Sequence, residues 1–483
     1  MTASRPLLMA IVALACGGRP SGGGSPSGGR SPSGSLPPSS GATLSVGDFG
    51  ARGDGQALDT AAIQAAVDAL PAGGVLRFGP GTYRIDAARG IQLKDDARLE
   101  LGQAVITGEN VDGARCRLLE IDGRKNVVIS GGTLVGSRSG SPAWGVGVLA
   151  SDAENLLIEN VTFRNFYFDG VLLTGNRGCR DVVLRGIVAE NNRRTGLAVP
   201  SAQNVTVEDS TFRGTQGQSP EAGANCEPNP GGEVRGVLFR RSTFAGNAGV
   251  GLYMHRGKGD AVADVSVQDS AVEGNGQGIV AAGVENVSIV NNHVSGHRRP
   301  ATSGIVVGDS SGATVTGNRL DGNFRGILAA HATNVQIQGN TVEGPAPGSL
   351  PAASADANGI VCLGPTQGTD PACVIVANSV HGSPASSIVV QQVSLYRLQD
   401  NTIEQSGQRG LLLSAASHGE ARGNSILASG LQGAAYAAIE LAQSSSDNVV
   451  ANNVIRFGSG SRLGIQVCPA CRRNEITGNQ ELP

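Results

Sequence analysis

The chain reads as an all-β parallel solenoid, a stack of short strands wound into coils, and three observations predict it. A phrase of glycine, aliphatic, any residue, aliphatic recurs as Gly170-Val171-Leu172-Leu173, Gly196-Leu197-Ala198-Val199, Gly278-Ile279-Val280-Ala281, Gly304-Ile305-Val306-Val307, Gly326-Ile327-Leu328-Ala329, Gly410-Leu411-Leu412-Leu413 and Gly464-Ile465-Gln466-Val467. Its spacing is mostly ~22 to 29 residues, the period of stacked repeats. Glycine supplies 72 of 483 residues and aromatics only 3%, which suits coils that turn sharply around a narrow aliphatic interior. One continuous repeat argues for a single elongated unit rather than two or three ordinary domains.

The segment expected to fold begins near Ala42. Before it, Arg5 and the apolar run Leu7 to Ala15 form a segment too short to span a bilayer and suited to the core of an export signal, residues 1–16. Ala13-Leu14-Ala15-Cys16 resembles a bacterial lipoprotein processing site, which implies lipidation of Cys16 and a cell-envelope address; ordinary signal cleavage and secretion is the alternative. Residues 17–41, almost wholly Gly, Ser, Pro and Arg, have nothing with which to build a core and read as a disordered tether. A formal charge of −3 with pI near 6.1 offers no general attraction for nucleic acid or anionic membrane, so neither is an expected partner beyond the lipid anchor. A monomer is the expected working unit.

Residues 42–110 hold the N-terminal cap and first coils, and 111–483 the remaining coils. Asp59 or Thr60 can cap a helix whose Ile63, Ala66, Val67 and Leu70 share one face. Such a helix would cover the apolar cross-section and open strand edges of the first coil. The stretch Val46-Gly47-Asp48-Phe49-Gly50-Ala51-Arg52-Gly53-Asp54-Gly55, this helix, and Gly74 to Tyr83 together resemble the N-terminal motif of the pectate lyase superfamily, which includes polygalacturonase-like proteins. The resemblance implies a right-handed parallel β-helix acting on polysaccharide. Arg52-Gly53-Asp54 and Asp48-Phe49-Gly50 then read as turn residues, not as an integrin ligand or a kinase element.

A second strand in each coil ends at Asn160, Gly186, Ser210, Ser242, Ser270, Asn292, Asn318, Asn340, Asn401, Asn424, Asn453 or Asn479. These residues tolerate left-handed backbone angles, and stacked amides can bond from coil to coil. Seven cysteines follow Cys16, an odd number for a compartment that allows disulfides. Cys362 with Cys373 would close a loop between coils, Cys468 with Cys471 would staple the last one, and Cys226 falls at an inward strand position.

Along the glycine-aliphatic strands the outward row is bland, except in two adjacent coils. Ala224-Asn225-Cys226-Glu227 sends out Asn225 and Glu227, and Leu252-Tyr253-Met254-His255 sends out Tyr253 and His255. Neighbouring turns add Tyr167, Asp169, Arg193, Arg194 and Glu221, with Arg256 and Lys258 after the histidine. A concentration of titratable groups on one flank marks a candidate site, although a solvated charged face imitates it. The loop Gly214 to Pro220 would wall it. Ala222 to Asn229 also resembles a Gly-Ile-Asp-Ile-Glu-Pro-Asn signature of right-handed β-helix repeat proteins, matched at Gly223, Glu227, Pro228 and Asn229, with Asn225 where that pattern has Asp.

Three reactions fit these residues. Hydrolysis would use Asp169 and Glu227 on either side of a glycosidic bond, though the paired-aspartate, Gly-His-Gly and Arg-x-Lys motifs of polygalacturonases are missing. Uronate β-elimination or C5 epimerisation would use Tyr253 and His255 as acid and base, with Arg194, Arg256 or Lys258 neutralising the uronate; the Asp-Pro-His motif of alginate epimerases is also missing. Tyr167, Arg193, Glu221, Asn225 and Asn229 complete the expected substrate contacts. Calcium could sit between Glu221, Glu227 and Asn225, without a spacing motif that demands it. The reading is a polysaccharide lyase or glycoside hydrolase acting on an acidic, uronate-containing glycan. A non-catalytic, surface-anchored β-helix that binds glycan explains the tether equally well.

Overall fold

The computed structural model describes residues 41–257, 261–346, 349–350, 356–364 and 372–483. The expected export segment, most of the tether, Cys16 and Lys258 lie outside them. Fifteen strands, from Ile91–Gln92 to Ile465–Val467, form one parallel sheet with one strand per coil. The other two faces belong to a second sheet of 32 strands, joined where the long strands Arg98–Thr107 and Lys125–Val135 bend across both. The interior is a set of columns rather than a single globule. In the fifteen-stranded sheet one column runs Val148, Val171, Leu197, Ala224, Leu252, Ile279, Ile305 and Ile327, register partners in turn. Every member is fully buried.

The one α-helix among the described residues, Thr60–Ala69, buries Ile63, Ala66 and Val67 against the first coils, with Leu70 just beyond its end. Its start differs from expectation. The Asp59 carboxylate makes no cap bond; it accepts from the Arg52 and Gly53 amides at 2.8 and 3.1 Å, while the Thr60 hydroxyl accepts from the Asp86 amide at 2.8 Å. Both side chains tie neighbouring turns to the cap, and Arg52-Gly53 is a turn held by a buried acid.

The asparagine column is a continuous ladder. The backbone N–H and Nδ2 of Asn292 both donate to Asn318 Oδ1, at 2.9 and 3.0 Å, and the pattern repeats through Asn340, Asn378, Asn401, Asn424, Asn453 and Asn479. Asn378 belongs to it unforeseen. The left-handed angle, however, falls one residue earlier: Asn291, Gly317, Gly339, Ala377 and Asp400 have positive φ, and the ladder asparagines after them do not. Asn160 and Gly186 sit in this earlier column, with φ of 56° and 60°.

The motif glycines also serve a different purpose from the one expected. Gly196 and Gly223 have ordinary backbone angles, but a Cβ would come 2.7 Å from Phe212 Cδ1 and 3.1 Å from Phe244 Cδ1 respectively. The nearest atom in both cases is the carbonyl oxygen of the next coil's glycine, 2.6 Å away, so glycine lets successive coils approach closely as well as leaving room for the stacked rings of Phe212 and Phe244, 5.1 Å apart and 7° from parallel. Disulfides join Cys362 to Cys373 and Cys468 to Cys471, with Cα separations of 6.7 and 5.2 Å. Cys226 is a buried free thiol, pushed up to about 12 by burial alone, so it belongs to the core and not to any nucleophilic chemistry.

Candidate active site

The site stands on the strands Asp169–Thr174, Thr195–Ala198, Ala222–Cys226 and Val250–His255 of the fifteen-stranded sheet. Their register aligns Leu172, Ala198, Asn225 and Tyr253 in one outward row. Two residues further along, Glu227 and His255 meet across adjacent coils. His255 Nδ1 lies 3.4 Å from Glu227 Oε1, and Asn225 Nδ2 donates to Glu227 Oε2 at 3.1 Å. The Tyr253 ring stacks on the His255 imidazole, centroids 5.3 Å apart and 6° from parallel. Glu227 and His255 side chains are 39% and 37% exposed, so both reach a ligand in the groove.

The charges follow from this geometry. The His255 contact is the largest cause holding the Glu227 carboxyl below the usual range; burial opposes it, while Asn225 and the Arg194 charge add to it. Glu227 is therefore ionised at neutral pH. Burial, helped by the Glu227 charge, pushes the Tyr253 phenol up to about 12, so it keeps its proton. A proton on Nδ1 facing Glu227 leaves His255 Nε2 as an acceptor. The trio therefore combines a proton donor, a proton acceptor and an anion that orients the acceptor.

Asp169, expected on the exposed flank, is fully buried. It is the first residue of its strand and the register partner of Thr195, whose hydroxyl donates to Oδ1 at 2.7 Å. Arg194 Nε and Nη2 donate to Oδ1 and Oδ2 at 2.9 and 2.7 Å. Burial works against the Arg194 charge, but Asp169 outweighs it and Glu227 adds to the effect. Asp169 is thus a buried anchor for Arg194, and Arg194 projects its field onto Glu227. With its carboxylate closed off, Asp169 offers no second acid to a glycosidic bond.

The remaining residues divide among the groove's margins. Arg193 places its guanidinium 4.1 Å over the Tyr167 ring, and Glu221 Oε1 accepts the Gly217 amide at 2.7 Å. Glu221 therefore turns to its own loop instead of joining Glu227 and Asn225 around a cation. Among the described residues no cluster of three His, Cys, Asp or Glu side chains is spaced to hold a metal ion. Arg256 is exposed directly after His255 and makes no ion pair with a described carboxylate. Asn229 borders a cleft of about 380 Å³ with Ser151, Thr174, Asn176, Pro200 and Ser201; by register, Thr174 and Pro200 precede Glu227 in its own outward row. Thr174 and Pro200 look bland in sequence because neither titrates. Arg138 carries no signal in the sequence either, being one cation in a small-residue turn with no periodicity to place it.

Comparison with known proteins agrees with this architecture. The family model described as the right handed beta helix region matches residues 85–229, 230–363 and 358–481, and the chain belongs to that family. A relative from Bacillus subtilis strain 168, "Uncharacterized protein YclG", is 24% identical over 259 residues, 45% of this chain and 44% of the relative; the match therefore spans under half of that protein's length. Among solved structures, a tailspike protein variant of E. coli bacteriophage HK620 in complex with pentasaccharide aligns with a TM-score of 0.56 at 15% identity, covering 88% of this chain and 78% of the tailspike. The A-module of mannuronan C-5 epimerase AlgE6 from Azotobacter vinelandii aligns with a TM-score of 0.46 at 18% identity, covering 91% and 99% of the two chains. The likeness to the tailspike is one of fold alone. No helix among the described residues is long and apolar enough to cross a membrane.

Proposed function

We propose that this chain is an exported enzyme that cleaves glycosidic bonds of an acidic polysaccharide by β-elimination, with Glu227, Tyr253 and His255 at its centre. The observation that carries the reading is the stacked Tyr253–His255 pair with Glu227 on Nδ1, beside an Asp169 that has no free carboxylate oxygen to offer. Hydrolysis by two carboxylic groups needs both of them open to the substrate. Elimination needs one base, one acid and a cation for the uronate carboxylate.

In this scheme His255 Nε2 removes the proton at C5, next to the uronate carboxylate. The electron pair forms the C4–C5 double bond, the C4–oxygen bond breaks, and Tyr253 delivers its proton to the leaving oxygen. Glu227 holds the imidazole and balances the charge it acquires. Arg256 faces the uronate carboxylate, since Arg194 is committed to Asp169. No water is consumed, which separates this route from hydrolysis.

The full chain, purified and incubated with pectin, alginate, glycosaminoglycan and bacterial exopolysaccharides, with and without a chelator, tests the reading. A shortened glycan carrying an unsaturated uronate end is the expected product. Binding without any shortening on every substrate would assign the groove to a passive glycan-binding surface instead.

A further inference from the structure

Arg138 and Arg193 come from turns two coils apart yet converge over Gly217. A Cβ on Gly217 would lie 3.3 Å from Arg193 Nε and 3.5 Å from Arg138 Nη2, so the two nitrogens are at most 6.8 Å from each other. Backbone carbonyls hold both side chains in place. Arg138 Nη1 donates to the carbonyl of Asn191 and, at 2.9 Å, to its Oδ1, and Nη2 donates to the Gln216 carbonyl at 2.8 Å. Arg193 Nη2 donates to the Gly217 carbonyl at 3.3 Å while its plane rests on Tyr167.

Neither guanidinium has a carboxylate within ion-pair distance among the described residues. Arg185, Arg213, Arg235, Arg240 and Arg241 each have one. Glu221 belongs to the same loop but spends Oε1 on the Gly217 amide. Burial and the Arg193 charge both hold Arg138 below the usual arginine range. Two like charges fixed in proximity without a counter-ion repel each other, and a bound anion relieves that repulsion.

We propose that Arg138 and Arg193, with Tyr167 positioning the second, form a subsite for one anionic substituent of the glycan, a carboxylate or a sulfate. Charge-assisted bonds of about 2.8 Å from each nitrogen let a single oxyanion bridge the gap. Arg193 adjoins Arg194 in sequence, and Arg194 anchors on Asp169 and reaches Glu227 electrostatically, so this subsite stands at the head of the strand row whose far end carries Glu227. The ligand's being a glycan rests on the function proposed above; its anionic group rests on the arginine pair alone.

Calorimetric titration of the full chain with tetragalacturonate, its methyl ester, an ι-carrageenan tetrasaccharide and its desulfated form tests the subsite and distinguishes carboxylate from sulfate. The wild type should bind at least one charged probe more tightly than its neutral counterpart, by roughly tenfold, and the preference should fade with added salt. R138Q/R193Q should abolish that preference, whereas R138K/R193K should keep part of it; matching melting curves establish that both variants fold. Equal binding of charged and neutral probes by the wild type, or an undiminished preference in R138Q/R193Q, would overturn the subsite. Charged-probe preference without any bond cleavage would sink the catalytic reading and leave the subsite standing.

Discussion

At the residue scale, Asp169 and Glu227 carry the same chemical group and differ in everything that decides its use. Asp169 is sealed by two arginine bonds and a threonine hydroxyl, and Glu227 is half-open with a histidine on one oxygen. Removing the charge of Asp169 should therefore act on stability first. D169N leaves the Arg194 guanidinium largely buried without its anion, at a cost on the order of 3 kcal/mol, which a denaturant titration measures. Tyr253→Phe should leave the melting curve unchanged and lower turnover about 10² to 10⁴-fold, the range lost with a general acid. The outward placement of Glu227, Tyr253 and His255 was legible in the sequence because strand alternation and repeat register fix which way they point; Asn225 shares their row but, contrary to expectation, is buried, with its Oδ1 unpartnered. The burial of Asp169 was not, because it opens a strand at a corner, where alternation gives no direction and only the Arg194 and Thr195 contacts decide.

At the scale of the element, the ladders explain why so many polar side chains lie inside. Each ladder asparagine satisfies the backbone and amide donors of the previous coil, so N318A would orphan two buried donors of Asn292 and cost roughly 1–3 kcal/mol for each. A second ladder runs Asn247, Asn275, His297 and Asn323, and it falters at Thr215, which leaves Asn192 Nδ2 and its own hydroxyl without partners. Thr215→Asn should restore the run and stabilise the fold by about 1 kcal/mol, visible as a higher denaturation midpoint.

His297 replaces an asparagine in that ladder and is fully buried. Burial drives it down to about 4, against a smaller opposing effect from Asn323. The unfolded chain then takes up this proton near pH 6.5 and the folded chain only near 4. Stability from the neutral ring is complete above 6.5 and lost as pH falls through that window, by roughly 3 kcal/mol. H297N should flatten the acid limb of a stability-against-pH curve between those two values; an unchanged limb would assign the acid sensitivity elsewhere. The first ladder was readable as a row of asparagines, whereas the second mixes Asn and His, is broken by Thr215, and surfaces only in the register.

At the scale of the whole molecule, stacking turns a repeated sequence into a graded surface. Each coil contacts chiefly its neighbours, so the same outward position can be Leu172 in one coil, Asn225 two coils later and Val280 two coils further on without disturbing the core behind it. The cap helix, the aliphatic columns and the repeat were all foreseeable from period and amphipathicity. The cationic pair over Gly217 was not, since it depends on a side chain bonding to residues 53 and 78 positions away in sequence. The candidate site is a local change of side chains on a repeated scaffold, so substitutions at Glu227, Tyr253 and His255 should leave the stability of the fold unchanged.

The most direct test follows the ultraviolet absorbance of unsaturated uronate as the full chain, E227Q and H255A each act on an acidic polysaccharide that the wild type shortens. Rising absorbance is expected with the wild type, with near-complete loss in both variants and retained glycan binding and thermal stability. Chain shortening by the wild type with no absorbance gain, or undiminished turnover in either variant, would contradict elimination at this site.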